Sequence, residues 1–196
     1  MWTNTLIEFL TNNMIILNVY GDFIMCSGKC GSRYLNAIFE NDLSIGAVEL
    51  PKQTLKTEYI VVREPHGHLI TALHTDLLHI WNDYWPGMTE QEVIDRLTTT
   101  GGGHYSLNLY KWIYEYWENT DKFAKIIDLS ELTSLVKDKG YDVPYDKTEY
   151  DWNYFDVWKT KEEIVEYVSK TYPNEYQIMM ERLESEKEYY KKLLKK

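Results

Sequence analysis

Cysteine is scarce in this sequence: only Cys26 and Cys30 occur among 196 residues. Two cysteines this close together cannot staple a secreted fold, and their C-x-x-x-C spacing is not that of a redox C-x-x-C pair. Long apolar runs are missing too, none approaching the roughly eighteen residues of a membrane-spanning helix. The N-terminal segment MWTNTLIEFLTNNMIILNVYGDF has an acid and several amides where a signal peptide has a basic head and an unbroken apolar centre. A cytoplasmic protein with no membrane partner is therefore expected. Basic residues are outnumbered, 21 Lys and Arg against 31 Asp and Glu, giving a formal charge of −10. A nucleic-acid partner requires a basic face, so none is expected. A small anion remains compatible, because a few local cations and backbone N–H groups suffice to hold one. His66, His68, His74 and His79 cluster in sequence but lack a Cys or an acid at ligand spacing, so no metal is expected.

What the chain has is enough apolar content, 44%, for one well-buried core. Internal repeats and low-complexity linkers are absent, so residues 1–196 read as a single domain, with a core over about 14–135 and a helical C-terminal part over about 136–196. A short helix is expected over Thr5–Asn12. The apolar run from Met14 to Met25 breaks at Gly21 and Asp22, and at least Asp22–Met25 reads as a strand. Tyr34, Leu35, Ile38 and Phe39 give Ser32–Asn41 one apolar helical face. Ser44–Leu50 is a weaker strand candidate and EYIVV, Glu58–Val62, a stronger one. Pro65 suits the first turn of a helix running to about Asn82, and Thr89 with Glu92 forms a capping box for the next. After the flexible TTTGGGH, a helical face runs over Tyr105–Trp117, and Lys125–Leu129 reads as a buried strand. Lys161–Thr171 and Asn174–Lys192 close the chain as helices. The aromatic, acidic stretch from Lys139 to Trp158 reads as a self-packed lid, with a ligand-stacking platform as the alternative, and ESEKEYYKKLLKK as a solvated amphipathic helix, with a partner-binding tail as the alternative. Strands alternating with helices predict an α/β fold with a mostly parallel central sheet flanked by helices.

The stretch IMCSGKCGSRYL, Ile24–Leu35, lies between a strand and a helix. Gly28, Gly31 and Ser32 allow a tight turn whose N–H groups point at an anion, with the helix N-terminus adding to the field and Lys29 supplying a mobile charge. It is not a Walker A loop, because Phe23 stands where the first Gly belongs and Cys30 follows the lysine in place of Ser or Thr. An ordinary Gly-rich turn is the plain alternative. A second element, VVREPHGHLIT, puts Arg63 at the end of a strand and Thr71 eight positions on. Ligands of open parallel sheets sit beyond the carboxyl ends of the strands, so Arg63 and the Lys29 loop should face one crevice. Two anion sites on one crevice suggest a ligand with phosphates at both ends.

On these motifs the chain resembles the P-loop sulfotransferases, which use 3′-phosphoadenosine-5′-phosphosulfate (PAPS) as co-substrate. The family's K-x-G-[ST]-[ST] loop is matched by Lys29, Cys30, Gly31, Ser32 and Arg33, and its R-[DN]-P followed by Ser by Arg63, Glu64, Pro65 and Thr71. A weaker similarity continues through HYSLNLYKWIYEYWENTDKFAKIIDLSEL, so the resemblance spans roughly Phe23–Leu132. Arg33 departs from the family's small hydroxyl residue, Glu64 from Asp or Asn, and Thr71 from Ser.

The resemblance implies a three-layer P-loop sulfotransferase-like fold. It further implies an enzyme moving a sulfuryl group from PAPS to a hydroxyl or amine of a small-molecule or carbohydrate acceptor, with no metal required. Ser27, Gly28, Lys29, Cys30, Gly31, Ser32 and Arg33 would hold the 5′-phosphosulfate, and Arg63 and Thr71 the 3′-phosphate. Lys29 would also stabilise the departing 3′,5′-diphosphate. Glu49, in VELP, falls where the family places a base; it is either that base or a solvated strand-end residue. His104, after three glycines, either swings over the acceptor or is a linker histidine. The short interval between the loop and Arg63 implies a small acceptor, or a pocket completed by a second subunit in a homo-oligomer. Two other functions fit the same motifs: a non-catalytic sulfotransferase-like nucleotide-binding module, and an ATP-dependent, kinase-like P-loop transferase.

Overall fold

The computed structural model describes residues 14–19, 22–27, 30, 46–47, 58–81, 85–99, 105, 108–119, 124–138, 140 and 160–195. The expected helices over Thr5–Asn12 and Ser32–Asn41 and the body of the lid stretch lie outside those residues. Among them are five strands: β1 (Met14–Val19), β2 (Asp22–Ser27), β3 (Gly46–Ala47), β4 (Tyr59–Val62) and β5 (Lys125–Asp128). They form one sheet in the order β3-β1-β2-β4-β5.

The expected parallel sheet is realised in three strands, with β2 beside β4 and β4 beside β5. β1 and β3 extend it antiparallel, which is where "mostly parallel" overstates the case. The reason is chain length: two residues separate β1 from β2, and a parallel pairing requires a crossover of a dozen or more residues. β4 is interior to the sheet, and Ile60, Val61 and Val62 are all fully buried. Successive strand side chains point to opposite faces, so three buried in a row mean both faces are covered. Ile24, Met25 and Cys26 of β2 repeat the pattern. β5, at the sheet edge, is only half-buried.

Six helices lie among the described residues: α1 (Pro65–Trp81), α2 (Glu90–Thr99), α3 (Leu109–Asn119), α4 (Leu129–Asp138), α5 (Lys161–Thr171) and α6 (Pro173–Leu194). α1 opens on Pro65, whose missing N–H is not needed in a first turn. The Thr89 capping box is formed: its N–H donates to Glu92 Oε2 at 2.7 Å, and the Glu92 N–H returns to Thr89 Oγ1 at 3.3 Å. A second box joins Thr160 and Glu163 at the head of α5. α3 starts at Leu109 rather than at Tyr105, because Asn108 sits at φ 65° and breaks the helical path. The strand expected over Lys125–Leu129 stops at Asp128, because α4 begins at Leu129: Asp128 and Glu131 cap it, and Gly140, at φ 91°, follows its end with an N–H donated to the Lys137 carbonyl. No helix among the described residues is long and apolar enough to cross a membrane.

The chain groups into two compact units. One contains the sheet, most of α3, α4 and the last turns of α6 (Met1–Glu64, Tyr110–Tyr145, Glu188–Lys196). The other is helical, with α1, α2, α5 and the first part of α6 (Pro65–Leu109, Asp146–Lys187). In the helical unit α1 packs against α2 and α5, and eleven of its seventeen residues are buried, so it is the unit's core helix rather than a surface amphipath.

Candidate functional site

The site follows from strand register. β2 and β4 run parallel with Met25 opposite Ile60 and Cys26 opposite Val61, which places Ser27 level with Val62. On the other side of β4, Val62 pairs with Asp128. Ser27, Val62 and Asp128 thus end three neighbouring parallel strands in one row. Chain leaving this carboxyl edge leads from Ser27 into Gly28 and Lys29, and from Val62 into Arg63 and Glu64. Such an edge is where open parallel sheets bind ligands.

Arg63 is half-buried just past the end of β4, and its carbonyl accepts the Tyr110 hydroxyl at 2.5 Å. Tyr110 is fully buried on the first turn of α3. Its ring meets that of Tyr190, from the last turns of α6, edge to face with centroids 5.8 Å apart. The Tyr190 hydroxyl in turn donates to Asp128 Oδ2 at 2.5 Å, while the Ser130 amide and hydroxyl donate to Oδ1 at 2.9 and 2.7 Å.

Electrostatics at this edge follow from the same contacts. Partial burial, the largest single influence on Asp128, pushes its carboxyl up. The hydrogen bonds from Tyr190 and Ser130 together with the Arg63 charge outweigh it and hold the group below its ordinary value. Burial first, then the Asp128 contact and its charge, push the Tyr190 phenol well up. Cys26 is driven up by burial, with neighbouring Cys30 adding to the effect. At neutral pH the edge therefore carries a carboxylate that is a weak base, a phenol that keeps its proton and an inert Cys26 thiol. These groups are suited to holding and aligning charge rather than to moving protons.

Of the site residues expected from sequence, Ser27 ends β2, Cys30 is buried and Arg63 stands at the strand edge. Thr71 belongs to the helical unit, on the second turn of α1, where its hydroxyl donates to the Gly67 carbonyl at 2.8 Å. Gly28, Lys29, Gly31, Ser32, Arg33, Glu49 and His104 lie outside the described residues. Tyr110, Asp128 and Tyr190 were not singled out from sequence. Asp128 had a legible signal, an acid closing an apolar strand with Glu131 three positions later. Tyr190 had none, since its partner is 62 residues away. No group of three or more His, Cys, Asp or Glu among the described residues is arranged to hold a metal ion.

No protein-family model, curated protein or solved structure matches the chain.

Proposed function

We propose that this protein is a cytoplasmic sulfotransferase with a three-layer P-loop sulfotransferase-like fold. It moves the sulfuryl group of PAPS to a hydroxyl or amine of a small-molecule or carbohydrate acceptor. The observation that carries the reading is the parallel pairing of β2 with β4. Adjacent strands lie about 4.8 Å apart, so the strands that precede the GKCGS and REP sequences end side by side on the same edge. A ligand with two phosphate-type groups suits two anion-binding sequences that follow neighbouring strand ends.

In the proposed reaction the acceptor oxygen or nitrogen forms a bond to sulfur as the bridging bond from sulfur to the 5′-phosphate oxygen breaks. The electron pair of the broken bond stays on the phosphate, and the acceptor proton passes to a base. Lys29 neutralises the departing 3′,5′-diphosphate and Arg63 holds its 3′-phosphate. Such transfers depend chiefly on alignment and on charge stabilisation of the leaving group. Asp128, a carboxylate with a lowered pKa, is poorly suited to be the base. Glu49 and His104 are the proposed candidates.

Titration calorimetry with 3′,5′-adenosine diphosphate tests the reading. Each charge-assisted hydrogen bond contributes roughly 1.5–3 kcal/mol, so Lys29→Ala and Arg63→Ala should each weaken binding by about ten- to a hundredfold. No binding by the wild type, binding by both variants unchanged from the wild type, or tighter binding of Mg²⁺-ATP than of PAPS overturns it. Release of 3′,5′-adenosine diphosphate from PAPS only when an acceptor is added separates an enzyme from a non-catalytic binding module.

A further inference from the structure

We infer that Tyr110 and Tyr190 are positioning residues for Arg63, forming with Asp128 a bracket that sets the direction of the Arg63 side chain at the anion site. The inference rests on the nucleotide-binding reading above and adds to it a part played by the C-terminal helix.

β4 ends at Val62, and Arg63 is the first residue beyond it. There the Tyr110 hydroxyl restrains the chain by donating to the Arg63 carbonyl. Fixing this carbonyl fixes the peptide plane that follows Arg63, and so restrains the main chain from which the Arg63 side chain leaves. A tyrosine is suited to the role, because it has few rotatable bonds and a rigid ring carrying its hydroxyl at a set distance.

The Tyr110 ring is itself held. Tyr190 meets it at an interplanar angle of 87°, and the Tyr190 hydroxyl is anchored on Asp128. Asp128 is the register partner of Val62, the residue immediately before Arg63. The contacts therefore close a circuit, from the end of β4 through Tyr110 and Tyr190 to the end of β5 and back to β4. Every member belongs to the sheet unit. A closed circuit resists displacement better than a single bond, since moving Arg63 disturbs each contact in turn. Ser130 holds the second carboxylate oxygen, so Asp128 is a fixed anchor.

The test uses two ligands, 3′,5′-adenosine diphosphate and 5′-AMP, which lacks the 3′-phosphate assigned to Arg63. Removing one aligning hydrogen bond in Tyr110→Phe or Tyr190→Phe should weaken diphosphate binding by about tenfold and 5′-AMP binding by less than about twofold. In an Arg63→Ala background the same substitutions should have no further effect on diphosphate affinity, because the group they align is gone. General structural damage would weaken both ligands alike and persist without Arg63. Unchanged diphosphate affinity, equal losses for both ligands, or full additivity with Arg63→Ala overturns the positioning role while leaving the sulfotransferase reading intact. Absence of diphosphate binding by the wild type overturns both.

Discussion

Two carboxylates, one in each unit, are held by similar chemistry and serve different ends. Glu90 stands at the head of α2 in the helical unit and accepts the Trp81 indole N–H at 3.0 Å and the Tyr167 hydroxyl at 2.7 Å. The Trp81 and Tyr167 rings cross edge to face 6.0 Å apart, and Glu90 also acts on the Tyr172 phenol. Asp128 stands at the head of α4 in the sheet unit and accepts the Tyr190 and Ser130 donors. Both draw a phenol from the C-terminal pair of helices onto the start of another helix, where negative charge is favoured by the exposed N–H groups. Glu90, at the start of α2, ties in the end of α1 and the middle of α5, which makes it a fastener. Asp128 ends a parallel strand beside Arg63, so the same kind of fastening also sets the geometry of a cation. The surroundings of the bond decide what it does, not its type.

The largest expected effect treats both units alike. Ile60 in β4 and Leu73 in α1 are essentially fully buried, and truncating either to Ala should cost about 2–5 kcal/mol in denaturant unfolding. A much smaller loss in one unit would show that its core is loosely packed.

The next prediction separates the two carboxylates. Glu90→Ala leaves a half-buried indole N–H and phenol without their acceptor, and should destabilise the protein by about 1–3 kcal/mol. Diphosphate affinity should stay unchanged, in contrast to the tyrosine variants of the sheet unit. A loss of nucleotide binding in Glu90→Ala would break the distinction between fastener and positioner.

Titration sharpens it further. Asp128 has a lowered pKa in the fold, so its stabilising contribution is present above the unfolded value of 3.8 and is lost as pH falls through the lower folded value. The stability difference between wild type and Asp128→Asn should therefore shrink on acidification below about pH 4. At the alkaline end the sign reverses. Burial first, then the bond to Glu90, push the Tyr172 phenol from 10.0 up to about 12. Its contribution is complete below pH 10.0 and is lost as pH rises towards about 12, so Tyr172→Phe should flatten the alkaline limb of a stability profile. The smallest effect belongs to the exposed pair of Lys170 and Glu166 on α5, both well solvated. Lys170→Ala should leave the thermal midpoint essentially where it is, because solvent screens such pairs.

Much of the fold was legible wherever a signal is local. Thr89 with Glu92, Pro65 and the EYIVV run announced α2, α1 and β4 within a residue or two of their bounds. Arg63 at a strand end was legible for the same reason. α4 was not, because SELTSLVKD follows the strand without a break and its cap, Asp128, doubles as the last strand residue. β1 was read only as part of a longer apolar run, since nothing in a single strand's composition announces an antiparallel partner.

What the sequence by itself determined, then, is where helices and strands begin and which residue types stand at their ends, because caps, breaks and periodicity act across a few neighbouring residues. Only the tertiary structure decided that β2 and β4 are parallel neighbours, so that Ser27 and Val62, 35 residues apart, end on one edge. It alone decided that Tyr190 meets Asp128 across 62 residues. Such meetings depend on the burial of whole elements against one another, and no stretch of neighbouring residues carries that information.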